Sequence, residues 1–290
     1  MIEYPVYIPT RGRPTRQITA KALIELGIRP RLVVEAAEEE AYKTANPDCD
    51  VIVWPQVYAD EYEHTPELNP HPTTGYAHNY AWDHARAEGH DRHWIMDDNI
   101  YYIIVRQNGE RKRARDTSPL EWVETWAKKW VNLAGVSLAM APFMYGKTVG
   151  LNTRLYCATL YRNDLDQYGI RWRRGLNDDT IVSLDILSTG YWCTAEIRAV
   201  GVKKVGTATT GRVKGGMTDF YKEGGFLRKS AEVVRLYPDL CHTKVRYRRI
   251  HHVCDYTVFK QQLIPVPLEY TPVTVKGATS GERRTPTNQT

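Results

Sequence analysis

Four short apolar runs constrain this chain most: Val6-Tyr7-Ile8, Leu32-Val33-Val34, Val51-Ile52-Val53-Trp54 and His93-Trp94-Ile95-Met96. Longer stretches of helical character separate them, which is the pattern of an α/β domain with a mostly parallel sheet. Pro9 and Gly12 break the first run, and Arg16 to Leu26 reads as a helix stopped by Gly27. Prolines 66, 70 and 72 mark a loop before a helix from Tyr76 to Ala87. Ser118-Pro119-Leu120-Glu121 carries a capping box with proline at the first helical position. Val123, Trp126, Ala127, Trp130, Val131 and Ala134 then recur at helical spacing, as a core-facing stripe. Val136 to Ala141 and Leu155 to Tyr161 read as strands, and Asp178 to Leu187 as a helix ending before Gly190.

At 290 residues the chain can form one large domain or two small ones, and 42% hydrophobic residues exclude disorder of the whole. The apolar periodicity fails at Pro265, so a domain over 1–265 and a polar tail over 266–290 are expected. No apolar run approaches the ~20 residues of a membrane span, and the start lacks the layout of a signal peptide, so a cytoplasmic protein is expected; a monomer is expected as well. The five cysteines are widely spaced without a Cys-x-x-Cys pair, and reduced thiols are expected. A formal charge of +5 permits a polyanionic partner without demanding one.

Chemistry concentrates where the first and fourth runs end. Asp97-Asp98-Asn99 follows an apolar strand, where open α/β sheets present ligands, and its hard oxygens suit Mg²⁺ or Mn²⁺. A turn is the plainer alternative. Thr10-Arg11-Gly12-Arg13 offers guanidinium forks for phosphate and a glycine for close backbone approach, or is an exposed basic loop. Lys214-Gly215-Gly216 is a second basic glycine hinge. Asn177-Asp178-Asp179-Thr180 opens a helix, where capping accounts for one acid better than for two. His242 and His252 lie late, beside a basic stretch with Arg246, Arg248 and Arg249; a second cluster holds Arg171, Arg173 and Arg174. A third is Arg111-Lys112-Arg113 with Arg115; the first two of the three carry an interleaved aromatic, as phosphate contact with stacking would require, and solvated surface charge is the plainer alternative.

In this order the segments from Val6 to Arg13, Val33-Val34-Glu35, Trp94 to Ile100 and Asn177 to Thr180 resemble the TET-associated glycosyltransferase family, known largely from phage genomes. Gly75 and Asn79 also fit, although His78 stands where an arginine is expected. The resemblance, over roughly residues 4 to 260, implies a GT-A-like single domain with helices on both faces of a mixed, mostly parallel sheet. It implies transfer of a sugar from a nucleotide donor, a UDP-sugar by the habit of the fold, to 5-hydroxymethylcytosine or 5-hydroxymethyluracil in phage DNA, in the host cytoplasm. Asp97 and Asn99 would bind the divalent cation, with His252 ahead of His242 as a further ligand. Thr10 to Arg13, Glu35, Asn79, Asp98 and Lys214 to Gly216 would face the donor, and Asp179, then Asp178, would be the base. A sugar transferase acting on protein or glycan would share the donor side. A non-catalytic nucleic-acid-binding protein would leave both acidic motifs idle, and a metal nuclease would not explain the arginine-glycine loop beside Glu35.

Overall fold

The computed structural model describes residues 1–64, 74–140, 146–205, 225–246 and 249–267. Lys214, Gly215, Gly216, Arg248 and residues 268–290 lie outside the described residues. In chain order the elements are β1 (Val6–Pro9), α1 (Ile18–Ile24), β2 (Arg31–Val34), α2 (Glu39–Ala45), β3 (Asp50–Val53), α3 (Val57–Asp60), α4 (Gly75–Ala87) and β4 (Arg92–Met96). There follow β5 (Ile100–Gln107), β6 (Glu110–Arg113), α5 (Ser118–Ala127), β7 (Leu133–Ala139), β8 (Val149–Leu151) and β9 (Ala158–Arg162). The chain continues through α6 (Asp178–Ser188), β10 (Cys193–Lys204), α7 (Gly225–Leu236), β11 (Cys241–Arg246) and β12 (Arg249–Cys254).

One sheet runs β3-β2-β1-β4-β9-β7-β10-β5-β6, with β8 against β10, and β11–β12 form a separate two-stranded ribbon. The first four strands in that order pair in parallel, as their β-branched runs predict. Beyond β4 the sheet is mixed: β9 is antiparallel to both neighbours, while β10 is parallel to β7 and antiparallel to β5. Alternation along each strand sorts side chains between two cores. Val6, Ile8, Trp94 and Met96 meet Leu23 of α1 and Leu120 and Val123 of α5 on one face. Tyr7 and Ile95 meet Ala81 and Trp82 of α4 and Val182 and Ile186 of α6 on the other. Helices therefore cover both faces, as expected of this α/β class.

Three readings need correction. The helix opened by Pro119 ends at Ala127, and Ala134 lies in β7. The apolar spacing beyond Ala127 is that of a turn and a buried strand, anchored by Val131 N–H on Ile264 and by pairing of Trp130 with Pro265. Its N-cap is Thr117 rather than Ser118, and Asp116 accepts the Ser118 N–H at 2.9 Å. The expected reduced thiols include a pair that is not free: Cys241 and Cys254 form a disulfide, because the ribbon register sets their Cα atoms 4.2 Å apart. Cys49, Cys157 and Cys193 are free and buried. Val266 still bonds to the Lys129 carbonyl, so packing reaches past residue 265.

Gly75 starts α4 where no larger residue fits, since a Cβ there would sit 1.9 Å from the Tyr62 hydroxyl. That hydroxyl in turn accepts the Gly175 N–H at 3.1 Å, tying α4 to the loop before α6. Gly75→Ala is expected to destabilise by about 1–3 kcal/mol through overpacking, read as a lower denaturation midpoint at unchanged slope; an unchanged midpoint would show that Tyr62 moves freely.

Candidate active site

Parallel pairing places the carboxyl ends of β1, β2, β3 and β4 at one edge of the sheet. The antiparallel β9 begins there, with Asp97 N–H donating to the Cys157 carbonyl at 2.8 Å, and β10 ends there at Lys204. Two cavities open along this edge.

The first, of ≈ 480 Å³, is lined by Arg11, Glu35, Trp54, Gln56 and Tyr76 among others. Arg11 Nε lies 3.1 Å from Glu35 Oε1, so the basic loop after β1 and the acid after β2 meet as expected. Trp54 and Tyr76 rings, 4.5 Å apart, form an aromatic wall that the sequence reading did not assign. The available signal was position: Trp54 directly follows β3, at the same edge as Glu35.

The loop itself is braced from within. Thr10 Oγ1 donates to Asp98 at 3.2 Å, Gln17 donates to Thr10 at 3.0 Å, and Gly12 N–H donates to Glu38 at 2.8 Å. Gly12 takes φ +68°, the left-handed region where glycine is tolerated best. Arg13 Nη1 reaches both Asp98 oxygens, at 3.0 and 2.8 Å. Burial raises the Asp98 carboxyl above its ordinary value despite that partner. Arg13 and Asp98 therefore brace each other, while Arg11 is the half-exposed arginine that faces the cavity.

The second cavity, ≈ 210 Å³, is bounded by Asp97, His78, Tyr156, Trp172, Asp178 and Asp179, with further residues including Asn177 and Lys229. Lys204, at the end of β10, binds Asp97 and lies 3.3 Å from the Tyr156 hydroxyl. Burial works against the Lys204 charge, yet Asp97 outweighs it and holds the ammonium above its usual range. Asn99 donates to the Val205 carbonyl at 3.4 Å, and its buried Oδ1 has no hydrogen-bond partner among the described residues. Among the described residues no group of three His, Cys, Asp or Glu could hold a metal.

Asp178 and Asp179 occupy the first turn of α6 behind Asn177, whose φ of +56° is one that asparagine adopts more readily than most residues. Asp178 accepts the Asp179 N–H at 3.0 Å and Asp179 accepts the Thr180 N–H at 2.8 Å, so each also caps the helix. Burial, then the charge of Asp179, lifts Asp178 to about 7. Burial also opposes the Asp179 charge, but Arg154, 3.7 Å away, and Lys229 overcome it and hold this carboxyl below its usual range. Asp179 is thus the ionised partner at neutral pH. His252 Nε2 is 3.5 Å from the Thr180 hydroxyl, and burial followed by Arg154 and Lys229 depresses it to about 4. His78, depressed by burial to about 3, packs against Trp172 in a tilted arrangement with ring centres 4.3 Å apart.

Other expected residues fall elsewhere. Asn79 spends both ends of its amide on the Trp172 backbone, at 2.9 and 3.0 Å, and so positions the cavity wall instead of meeting a donor. His242 pairs with Val253 on the exposed side of the ribbon, whereas His252 turns toward α6; the strand alternation parts the two histidines. Arg171 is bidentate to Asp83 at 2.8 and 2.7 Å, Arg173 is bidentate to Asp185 at 2.8 Å, and Arg174 pairs with Glu63. This cluster is neutralised within the fold, by acids that its own stretch of sequence does not contain. Arg154, Lys204 and Lys229 were missed because a lone cation carries no local signal.

The Asp178 shift has a thermodynamic signature. Its raised folded value means that the native state binds the extra proton, so stability falls as pH rises from about 4 to 7 and levels off above. Asp178→Asn removes this loss. The variant is expected to gain on the parent between pH 5 and pH 8, by as much as ~3 kcal/mol, the part of the shift that falls between those two pH values, in denaturant titrations at the two pH values; a difference independent of pH would contradict the assignment.

The model of the TET-associated glycosyltransferases matches residues 4–216. No curated protein matches the chain. Among solved structures, glucosyl-3-phosphoglycerate synthase from Mycobacterium tuberculosis, in complex with Mn²⁺, uridine diphosphate and phosphoglyceric acid, is 10% identical, with 91% of this chain and 89% of that one covered and a TM-score of 0.48. A Desulfovibrio desulfuricans G20 protein described as a nucleotide-diphospho-sugar transferase is 13% identical, with 82% and 99% covered and a TM-score of 0.41. These two likenesses are distant, but the family match takes in β1, Glu35, the Asp97 motif and the acids of α6 together, and the chain belongs to the TET-associated glycosyltransferase family.

Proposed function

We propose that this glycosyltransferase moves a sugar from a uridine diphosphate donor to the hydroxyl of 5-hydroxymethylcytosine in DNA, with 5-hydroxymethyluracil as the second choice. The observation that carries the reading is the pair of cavities on one sheet edge, one with Arg11, Glu35 and an aromatic wall, the other with Asp97 opposite Asp179. The first suits a nucleoside: Glu35 can accept from the base N3–H or the ribose, with Trp54 and Tyr76 flanking it. The second suits the sugar and the incoming hydroxyl. The acceptor is suggested by the family's name and by the basic ribbon.

The family's donor chemistry implies Mg²⁺ or Mn²⁺, and the donor set is compatible with one. Asp97 faces the cavity and Asn99 keeps a buried oxygen without a partner among the described residues, and such ions commonly take one or two protein oxygens and fill the rest with phosphate and water. Asp97 and Asn99 would hold the ion, with His252 as the nearer of the two histidines to the helix of Asp179. When bound it would neutralise the departing diphosphate.

The chain's own groups do the remainder. The acceptor oxygen attacks the anomeric carbon, the bond from that carbon to the diphosphate oxygen breaks, and the acceptor proton passes to the Asp179 carboxylate. Uridine diphosphate leaves with the electron pair, beside the cations Arg154, Lys204 and Lys229. A single displacement of this kind inverts the anomeric centre.

Incubation of hydroxymethylated and unmodified duplexes with donor, followed by nucleoside mass analysis, tests the reading; sugar on protein or glycan and on neither DNA would remove it. Asp179→Asn is expected to lower turnover by about 10²–10⁴-fold with donor affinity little changed in calorimetry. An equal loss of both would make Asp179 a binding residue. Asp97→Ala, or EDTA, is expected to abolish transfer, the variant also losing some stability because Lys204 is left without its carboxylate; full activity in either case would end the metal reading.

A further inference from the structure

Two of the three basic clusters of the sequence, those with an interleaved aromatic, have different fates, and the difference identifies a surface. Arg171, Arg173 and Arg174 are ion-paired to Asp83, Asp185 and Glu63. The ribbon is otherwise: no Asp or Glu occurs between Asp239 and Asp255. Its register pairs His242 with Val253, Lys244 with His251, and Arg246 with Arg249. Alternation puts these residues on one face and Cys241, Thr243, His252 and Cys254 on the other. The second face is anchored: the Cys241 and Cys254 end packs with Ile181 and Leu184 of α6 and Val233 of α7, and His252 reaches Thr180. On the first face His242, Lys244, Arg246 and Arg249 are exposed. None of those three cations forms an ion pair with a described carboxylate, and Arg249 lies over the Phe226 ring at 4.7 Å.

Resting on the DNA reading above, we infer that the basic face of the β11–β12 ribbon binds the phosphodiester backbone of the acceptor duplex, and that the Arg171 to Arg174 segment takes no part. Same-face residues on one strand are about 6.8 Å apart and cross-strand partners about 5 Å, so the ribbon offers a flat array of positive charge instead of an enclosed socket. An extended polyanion with regularly repeated charge matches such an array, and a single phosphate does not. The ribbon is one layer thick, so the ribbon that grips the backbone also carries His252, on β12, to the helix of Asp179. Backbone contact on one face thereby fixes the approach of the base on the other.

The test compares full-length protein with two charge-matched variants, Lys244→Glu/Arg246→Glu on the ribbon and Arg111→Glu/Lys112→Glu on the exposed strand β6. Binding of a hydroxymethylated duplex is followed by fluorescence anisotropy across salt concentrations. The ribbon pair is expected to weaken binding by at least about tenfold and to flatten the slope of log K against log salt by about 1.8, or 0.9 for each lost contact. The β6 pair is expected to change neither. Lys244→Gln/Arg246→Gln guards against misfolding and should show the same slope change with an unaltered melting temperature. Equal weakening by both charge-reversed pairs, or by neither, overturns the inference. If the parent glycosylates DNA while the ribbon variants bind it normally, only this inference falls. If the parent neither binds nor modifies any duplex, the acceptor reading falls and takes this one with it.

Discussion

Four carboxylates share the edge where β1 and β4 end and α6 begins, and the charges set against them shape the site. At the ~20 effective dielectric typical of protein sites, two like charges 5 Å apart repel by about 3 kcal/mol, too much to leave uncompensated in a domain of ordinary stability. Asp98 is answered by Arg13, Asp97 by Lys204, and Asp179 by Arg154 and Lys229. Among the described residues Asp178 has no ion pair of this quality, and it is answered by protonation, its value lifted to about 7. The adjacent acids therefore part into an ionised member and one that titrates near neutrality, which is how neighbouring groups acquire separate roles.

Each compensating cation comes from an element remote in sequence, and this decides what could be read in advance. Strands β1 to β4 were legible because β-branched runs state their own length and direction of pairing is implied by intervening helices. The meeting of Arg11 with Glu35 followed from that, since parallel neighbours end together. Lys204 and Lys229 were not legible, because nothing in a single lysine announces which carboxylate it will meet. Arg171 to Arg174 misled for the complementary reason: three arginines in four residues look like a patch until Asp83, Asp185 and Glu63 close on them. Charge density along a chain becomes surface charge only where the fold leaves it without partners.

Apolar periodicity failed in one place for a related reason. Trp130, Val131 and Ala134 continue the spacing of α5 by coincidence, and tertiary pairing with residues 264 and 265 claims them for a turn and a strand. Periodicity reports that residues are buried, not which backbone buries them. The disulfide was hidden likewise: Cys241 and Cys254 are 13 residues apart, which says little until a tight antiparallel ribbon sets them opposite each other.

The cations around Asp179 also bear on how the proposed reaction is ordered. Before the donor binds, Arg154 and Lys229 stabilise the Asp179 carboxylate and make it a weak base. A diphosphate arriving in the same cavity carries more negative charge than one carboxylate and competes for the same two cations. Every share of their field that it takes raises the proton affinity of Asp179. On this electrostatic argument the base gains strength only once the leaving group is in place, so acceptor hydroxyls reaching the cavity first meet a carboxylate poorly disposed to deprotonate them. The same competition runs in reverse on departure of the diphosphate, when Arg154 and Lys229 return to Asp179 and favour release of the proton it has taken.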